Sequence, residues 1–208
     1  MVRTNRLATA AALCLMVTVA HADGVYDMVD GIVVMEMEST ESPLGLWVKK
    51  TAVAGYTGSG HFEFTGNSAG GGTPKSALEY RFRVNETATY TLALRAHKRL
   101  DGASDDRCND AYIRMEGEFI AAGFTPQELL TSDTKIYGGS ATGWKWTSLW
   151  SLDDGDRKWR ILYYFKAGET YLLTLSGRSQ RFNIDRIAIS LHDSAVTAIA
   201  QDPLTPQS

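Results

Sequence analysis

The sequence contains few cysteines, and this limits how the fold can be stabilised. Its 208 residues include only Cys14 and Cys108. Cys14 lies within an apolar run from Leu7 to Val19, which follows two arginines and precedes Ala20-His21-Ala22, the pattern of a cleavable signal peptide. The mature chain would then keep one cysteine and form no intramolecular disulfide. Its stability must come from packing, with or without a bound metal.

A strong excess of charge of either sign is also missing. The formal net charge is -3, which argues against nucleic acid or an anionic membrane surface as a partner. The apolar run near the N-terminus is too short to be a good membrane span. We therefore predict a signal peptide at 1–22, one domain at 23–195 and a disordered tail at 196–208, in a protein that is secreted or periplasmic.

Short alternating or apolar segments separated by turn signals dominate the rest of the chain. Tyr80–Val84 and Tyr90–Leu94 alternate as half-buried strands do. The only helical pattern is Thr125–Leu130, with Thr125 as the expected N-cap and Pro126 at the first helical position. Strands without intervening helices predict an all-β fold, an antiparallel β-sandwich of jelly-roll topology. Trp47, Trp150 and Trp159 are expected in its core.

Acidic residues stand on the first and the last strong apolar segments. Glu36 and Glu38 share one face of a predicted strand, and Asp185 lies on the last strand. If these strands are adjacent, three carboxylates converge, and a hard cation such as calcium would compensate their charge. The alternative is that the glutamates face solvent and Asp185 pairs with Arg186 or another arginine.

Five segments occur in a characteristic order between Val33 and Leu191. They are the Glu-x-Glu strand at Glu36–Glu38, Tyr90–Arg95, Asn109–Ile113 followed by Gly117, Ala167–Tyr171, and Asn183–Ile187. In this order they resemble carbohydrate-binding modules of families six and thirty-five, which have a galactose-binding-like β-sandwich fold. The resemblance implies a structural calcium held by Glu36, Glu38 and Asp185.

The same resemblance implies a sugar site in the loops at one edge of the sandwich. An aromatic pair and an asparagine would bind the sugar, and the matching positions are Tyr56, one or both of Trp144 and Trp146, and Asn183. Aromatic rings stack on the C–H faces of sugars, and an amide bonds vicinal hydroxyls. Trp144 and Trp146 share a strand face, so one of them is a candidate core residue; Trp144 follows Gly143 and is favoured as exposed.

Four cations surround the loop Leu100–Asn109. Arg95, Lys98, Arg99 and Arg107 would suit a uronic acid or a sulfated polymer. The alternative is that they pair with the aspartates of the same loop.

Three functions fit these observations. The first is an exported, non-catalytic module that binds a polysaccharide or oligosaccharide, with a glycan-degrading enzyme as a further partner. The second is a jelly-roll polysaccharide lyase or hydrolase that acts on an acidic glycan, with His61, His97, Tyr112 or Tyr137 as the base. The third is an adhesive protein that binds another protein.

Overall fold

The strands of the protein form two sheets packed face to face. The computed structural model describes residues 24–192, so the predicted signal peptide at 1–22 and tail at 196–208 lie outside the described residues. The helical elements are a 3₁₀ turn at Met37–Ser39 and α1 (Gln127–Thr131). In chain order the strands are β1 (Val25–Asp27), β2 (Ile32–Glu36), β3 (Trp47–Lys50), β4 (His61–Phe64), β5 (Lys75–Arg83), β6 (Ala88–Lys98), β7 (Asp110–Glu116), β8 (Ile120–Ala121), β9 (Thr134–Tyr137), β10 (Lys145–Trp146), β11 (Leu152–Asp153), β12 (Lys158–Trp159), β13 (Leu162–Phe165), β14 (Thr170–Gly177) and β15 (Phe182–Leu191).

The pairing of these strands is almost entirely antiparallel. One sheet has seven strands in the order β1-β5-β14-β7-β9-β11-β12. The other has eight: β3-β4-β15-β6-β13-β8 lie side by side, while β2 pairs with β15 and β10 pairs with β6. Among the described residues, β1 with β5 is the only parallel pair of strands. The predicted antiparallel β-sandwich is confirmed.

Aromatic side chains from the inner faces of both sheets fill the core. Phe165 of the eight-stranded sheet lies 4.1 Å from Tyr171 and 5.5 Å from Phe82 of the seven-stranded sheet, measured between ring centroids. All three are fully buried. Such tilted and edge-on contacts stabilise the core beyond the burial of apolar area.

Strand β15 occupies the centre of the eight-stranded sheet. It pairs with β6 along one side, and with β4 and then β2 along the other, so that Glu36 lies opposite Arg186. The predicted adjacency of the two acidic segments is therefore confirmed. The register with β6 shifts between Ile184 and Arg186, as a β-bulge does. As a result the consecutive residues Asp185 and Arg186 both contact groups on the outer face.

Two local predictions were wrong. Strand β2 ends at Glu36, and Glu38 lies in the 3₁₀ turn because the hydroxyl of Ser39 donates a hydrogen bond to the Glu36 carbonyl at 2.6 Å. Helix α1 begins at Gln127, with Pro126 in the N-cap position. The hydroxyl of Thr125 does not cap the helix, since it donates to the carbonyl of Arg160 at 2.7 Å.

The tryptophans expected in the core differ in their surroundings. Trp47 is buried against Phe64, with ring centroids 5.1 Å apart. Trp159 is half-buried at the edge of the core. Trp150 is 54% exposed, so its assignment to the core was wrong. Its carbonyl accepts a bond from Tyr137, and its ring lies beside the guanidinium of Arg160 at the surface.

No helix within residues 24–192 has the length and apolar character needed to cross a membrane.

Gly177 marks a point where the two sheets approach closely. A Cβ added there would lie 2.1 Å from two ring carbons of Phe64, which is fully buried. We expect Gly177→Ala to lower the free energy of unfolding by about 1–3 kcal/mol, because a packed core resists added volume. Urea denaturation measures this. Gly143→Ala is the matched control, since a Cβ added at Gly143 would meet no atom within 4 Å, and a change there as large as at Gly177 would contradict the packing argument.

Candidate functional site

A layer of polar side chains is buried on the outer face of the eight-stranded sheet. In β4, β15 and β6 the inward residues Phe62, Ile184 and Ala96 belong to the core. The alternating outward positions would face solvent in a simple sandwich, but here the loops at 51–60 and 138–144 cover them. The side chains in this layer are His61, Glu63, Asn183, Asp185, Arg95 and His97.

The second of these loops lies unusually close to β6. His97 forms a bridge with Ser140, and the amide of Lys98 donates to the Ser140 carbonyl at 2.9 Å. A Cβ at Gly139 would lie 3.1 Å from the backbone of Ala96, and its φ is +82°. Only glycine combines this approach with this backbone conformation.

The three predicted carboxylates meet at one end of the layer, around Thr57. The hydroxyl of Thr57 lies 2.8 and 3.0 Å from the two carboxylate oxygens of Glu36, and 3.2 Å from Oδ2 of Asp185. Its amide donates to Oδ1 of Asp185 at 3.0 Å. The amide and hydroxyl of Ser59 contact Oε1 of Glu38. Because a hydroxyl has one hydrogen to donate, Thr57 satisfies only one of these oxygens at a time.

Two arginines partly compensate this negative charge. Arg95 forms a buried ion pair with Asp185 and also donates to the carbonyl of Gly55 at 2.9 Å. Arg186 lies 4.0 Å from Asp185 and is itself buried. Asp185 thus pairs with arginines, as the alternative interpretation predicted, but Glu36 and Glu38 are only half exposed and lie in the same cluster. Three carboxylates face two guanidinium groups.

Burial and charge shift the proton affinities in this cluster. Burial raises the pKa of Glu36 to about 7, although Thr57 and Arg186 oppose the shift. Burial also raises the pKa of Asp185, against hydrogen bonds from Thr57 and Arg95. An ionised Glu36 is therefore unfavourable here unless another positive charge is present.

The side chains of the acidic cluster offer the carboxylate oxygens that a hard cation prefers, but they are not arranged as a closed metal site. Oε2 of Glu38 is buried and has no hydrogen-bond partner. A Cβ at Gly58 would lie 2.2 Å from Oε1 of Glu38 and 3.3 Å from Cδ of Glu36, so only glycine lets the loop come this close. Within residues 24–192, however, no three acidic, histidine or cysteine side chains are grouped closely enough to hold a metal ion.

Beyond the carboxylates, aromatic rings enclose His61. Its ring centroid lies 5.1 Å from that of Trp144, in an edge-on contact, and 5.9 Å from that of Tyr56. Trp144 also lies 5.8 Å from His97, and the guanidinium of Arg95 is 5.5 Å from its ring. The indole N–H donates to the carbonyl of Ala54 at 3.1 Å, which joins the two covering loops.

Several polar atoms beneath these rings have no hydrogen-bond partner. His61 and Asn183 have no exposed surface. Both ring nitrogens of His61, Nδ1 of His97 and Oδ1 of Asn183 are buried and lack a partner in good hydrogen-bond geometry. His61 and Asn183 are close enough to each other for Asn183 to raise the pKa of His61 slightly against the effect of burial. The amide nitrogen of Asn183 donates to the Arg181 carbonyl at 2.9 Å. An unpaired buried polar group costs about 1–3 kcal/mol. Such groups are expected to meet a ligand or ordered water.

We call the space enclosed by Tyr56, Trp144, His61, His97 and Asn183 the pocket under Trp144. Glu63 carries a fixed negative charge at its border. Lys50 lies 2.5 Å from it, and Arg99 makes two bonds of 2.8 and 3.0 Å. Although burial opposes it, these hydrogen bonds hold the pKa of Glu63 at about 2. All three groups are therefore paired within the protein.

The structure separates the two predicted tryptophans. Trp144 lies in the polar pocket with Tyr56 and Asn183. Trp146 lies on β10, where it packs against Ile32 and Ala188, and the guanidinium of Arg186 is 5.8 Å from its ring. Arg95 contacts both Trp144 and Asp185 and so joins the pocket to the acidic cluster.

The other cations near the loop 100–109 pair mostly with its own aspartates. Lys98 pairs with Asp105, Arg107 with Asp106, and Arg99 with Asp101 as well as Glu63. This agrees with the alternative interpretation of that cluster.

Sequence reasoning missed Thr57 and the pocket role of His61, His97 and Glu63. The alternation of His61 and Glu63 on β4 indicated a shared face, but nothing in the sequence showed that loops bury that face.

Of the four candidate bases, His61 and His97 lie on the eight-stranded sheet. Tyr112 and Tyr137 lie on the seven-stranded sheet, where each donates a hydrogen bond to a backbone carbonyl. The structure does not bring these tyrosines to the histidines.

Solved structures with a similar fold include carbohydrate-binding modules. A family 35 module from an environmental isolate is 16% identical, with a TM-score of 0.45, over 84% of this chain and 97% of that one. The family 35 module of Paenibacillus barcinonensis is 18% identical, with a TM-score of 0.43, over 76% and 98% of the two chains. The likeness is one of fold.

A GH26-CBM35 β-(1,4)-mannanase of Podospora anserina also matches, with 13% identity and a TM-score of 0.48 over 79% of this chain. This chain spans only 28% of the length of that enzyme. No protein-family model matches the sequence, and no curated protein does.

His61 makes the stability of the pocket depend on pH. Burial lowers its pKa from 6.5 to about 4, with Glu63 opposing the shift. Between these two values the unfolded state binds a proton that the folded state does not, so stability should fall as the pH is lowered through this window. The contribution from His61 is on the order of 3 kcal/mol.

Protonation of Glu36, whose pKa burial raises to about 7, stabilises the folded state over the same pH range. The contribution of His61 is therefore a difference between two proteins: in urea denaturation from pH 7 to 4, we expect the free energy of unfolding of the wild type to fall relative to that of His61→Gln. His192→Gln is the control, since that residue lies outside the pocket. Parallel pH profiles for the wild type and His61→Gln would show that the histidine is not held neutral.

Proposed function

We propose that this protein is a non-catalytic carbohydrate-binding module whose sugar site is the pocket under Trp144. The observation that carries the proposal is the combination of aromatic rings with unpaired buried polar atoms in one place. Sugars present apolar C–H faces and hydroxyl groups together, so a sugar site needs both kinds of group. Export of the protein and its action beside a glycan-degrading enzyme stay predictions.

The aromatic part of the proposed site consists of Tyr56 and Trp144. Both rings are half-buried and both contact the ring of His61. A half-buried ring at the end of a loop can present one face to a pyranose while its other contacts hold it in place. Arg95 supports the site, because its guanidinium lies beside the Trp144 ring and fixes Asp185. Trp146 packs against Ile32 and Ala188, apart from Trp144.

Asn183 is the polar member that both the sequence resemblance and the structure favour. Its amide nitrogen is held by the Arg181 carbonyl, so its orientation is fixed, and Oδ1 remains free to accept a bond from a hydroxyl. A fixed acceptor next to unpaired imidazole nitrogens offers a hydroxyl both the donor and the acceptor that it needs.

The proposal includes a structural calcium at Glu36, Glu38 and Asp185. Its support is the excess of carboxylates over arginines, the unpaired Oε2 of Glu38 and the close approach of Gly58. Calcium prefers such oxygen ligands, and it would compensate the charge that burial makes unfavourable on Glu36. To bind it, the carboxylates would exchange some contacts with Thr57 and Ser59 for the ion.

The catalytic alternative has less support. A lyase or hydrolase needs a base near its substrate and a cation to neutralise a uronate. Burial lowers the pKa of His61 to about 4, which makes it a weak base. Arg95 is already paired with Asp185, so its charge is not available to neutralise a uronate.

Trp144→Ala should weaken binding of the cognate polysaccharide at least tenfold, because the stacking of the indole ring on a sugar face is removed while the strand framework is kept. Isothermal titration against a panel of polysaccharides measures it. Trp150→Ala is the matched control, since Trp150 is an exposed tryptophan beside Tyr137 and Arg160, away from the pocket. Wild-type affinity in Trp144→Ala, or equal loss in both variants, would contradict the assignment of the site.

Calcium should stabilise the protein by mass action. At free calcium 100-fold above its Kd the gain is about 2.7 kcal/mol, or a rise in Tm of roughly 5–10 °C, and a chelator should reverse it. Glu38→Gln should reduce the rise, whereas Glu118→Gln, an exposed carboxylate elsewhere, should not. A Tm that is insensitive to calcium and to chelator would mean that a proton on Glu36 and the two arginines balance the cluster instead.

A further inference from the structure

The unpaired polar atoms of the pocket under Trp144 are all uncharged. They belong to His61, His97 and Asn183. Burial lowers the pKa values of both histidines, so both rings are neutral at pH 7. His61 has one N–H donor and one nitrogen acceptor, whereas His97 offers Nδ1 alone, because its other nitrogen bonds the backbone of Ala141. We call these buried polar atoms of His61, His97 and Asn183 the floor of the pocket. Hydroxyl groups, which both donate and accept hydrogen bonds, are complementary to them. A carboxylate or sulfate, which only accepts, is not.

The charged groups around the floor are already paired. Arg95 is held by Asp185 and the Gly55 carbonyl, and is 3% exposed. Lys50 and Arg99 are held by Glu63. An acidic sugar that drew Arg95 to itself would have to break a buried ion pair, which leaves the Asp185 charge buried without its partner. Lys50 and Arg99 are partly exposed, but each already neutralises Glu63. Glu63 and Asp185 would also repel an anion.

A ligand can reach the floor only if Trp144 moves. His61 has no exposed surface, and the indole ring lies against both histidines. One hydrogen bond, to the Ala54 carbonyl, holds the indole nitrogen. Gly143, next to Trp144, has open space around its Cα. Turning the ring exchanges this hydrogen bond and its contacts with His61, His97 and Arg95 for contacts with the ligand.

We infer that the site selects a neutral saccharide, whose hydroxyls bond His61, His97 and Asn183 once the Trp144 ring has turned from the two histidines onto a face of the sugar, and that it rejects uronic acids and sulfated sugars. This inference rests on the proposed function and narrows its ligand class. His61 and His97 are thereby specificity-determining residues that the sequence did not indicate.

Titration against two groups of polymers tests the inference. The neutral group is galactomannan, arabinoxylan, dextran and fully methyl-esterified polygalacturonate; the acidic group is polygalacturonate, alginate and a sulfated galactan. The esterified and free polygalacturonates share a backbone and differ in charge. We expect saturable binding to at least one neutral polymer, and binding at least tenfold weaker to every acidic one.

His61→Leu separates a ligand-binding role from a structural one. The substitution removes buried polar atoms that have no partner, so thermal stability should stay the same or rise, while affinity for the neutral polymer should fall at least tenfold. His61→Gln keeps a donor and an acceptor and should retain more of the affinity. His192→Gln, outside the pocket, should bind as the wild type does.

The outcomes are distinguishable. Tighter binding to an acidic polymer, or unchanged affinity in a stable His61→Leu protein, would overturn the inference and leave the proposed function standing. Binding to none of the polymers would overturn the proposed function, and the inference with it.

Discussion

The pairing of β15 with both β2 and β6 is the constraint on which the rest of the structure depends. It places Glu36 opposite Arg186 across one strand pair, and Asp185 against Arg95 across the other. Burying these charges is unfavourable unless each keeps its partners. The bulge between Ile184 and Arg186 makes this possible, because it brings Asp185 and Arg186 to the same face of the sheet.

Loops turn this outer face from a surface into an interior. In a simple sandwich, polar residues such as Asn183 and His61 would be hydrated on the outside of the sheet. Here the loops at 51–60 and 138–144 exclude water from them without supplying all the hydrogen bonds that water made. The glycines at 58 and 139 permit that close cover, since a side chain at either position would collide with Glu38 or with the β6 backbone.

The sequence predicted the strands better than the surroundings of their side chains. Alternation placed Tyr90–Leu94 inside β6 and Tyr80–Val84 at the end of β5, and the acidic motifs indicated which strands meet. It did not reveal the 3₁₀ turn at Glu38, which depends on a hydroxyl bond from Ser39, nor the bulge in β15. Trp150 illustrates the wider difficulty: an aromatic residue in a strand-like pattern gives no sign of which face the neighbouring loops will cover, so its exposure could not be predicted.

The acidic cluster and the pocket under Trp144 are physically connected through the loop at 54–60. Thr57 and Ser59 hold that loop to the carboxylates, while Tyr56 and the Ala54 carbonyl contact the pocket, the latter by holding Trp144. A cation that took over carboxylate oxygens from Thr57 or Ser59 would therefore shift the same loop that positions Tyr56 and restrains Trp144. Coupling between two sites requires differential contacts of this kind.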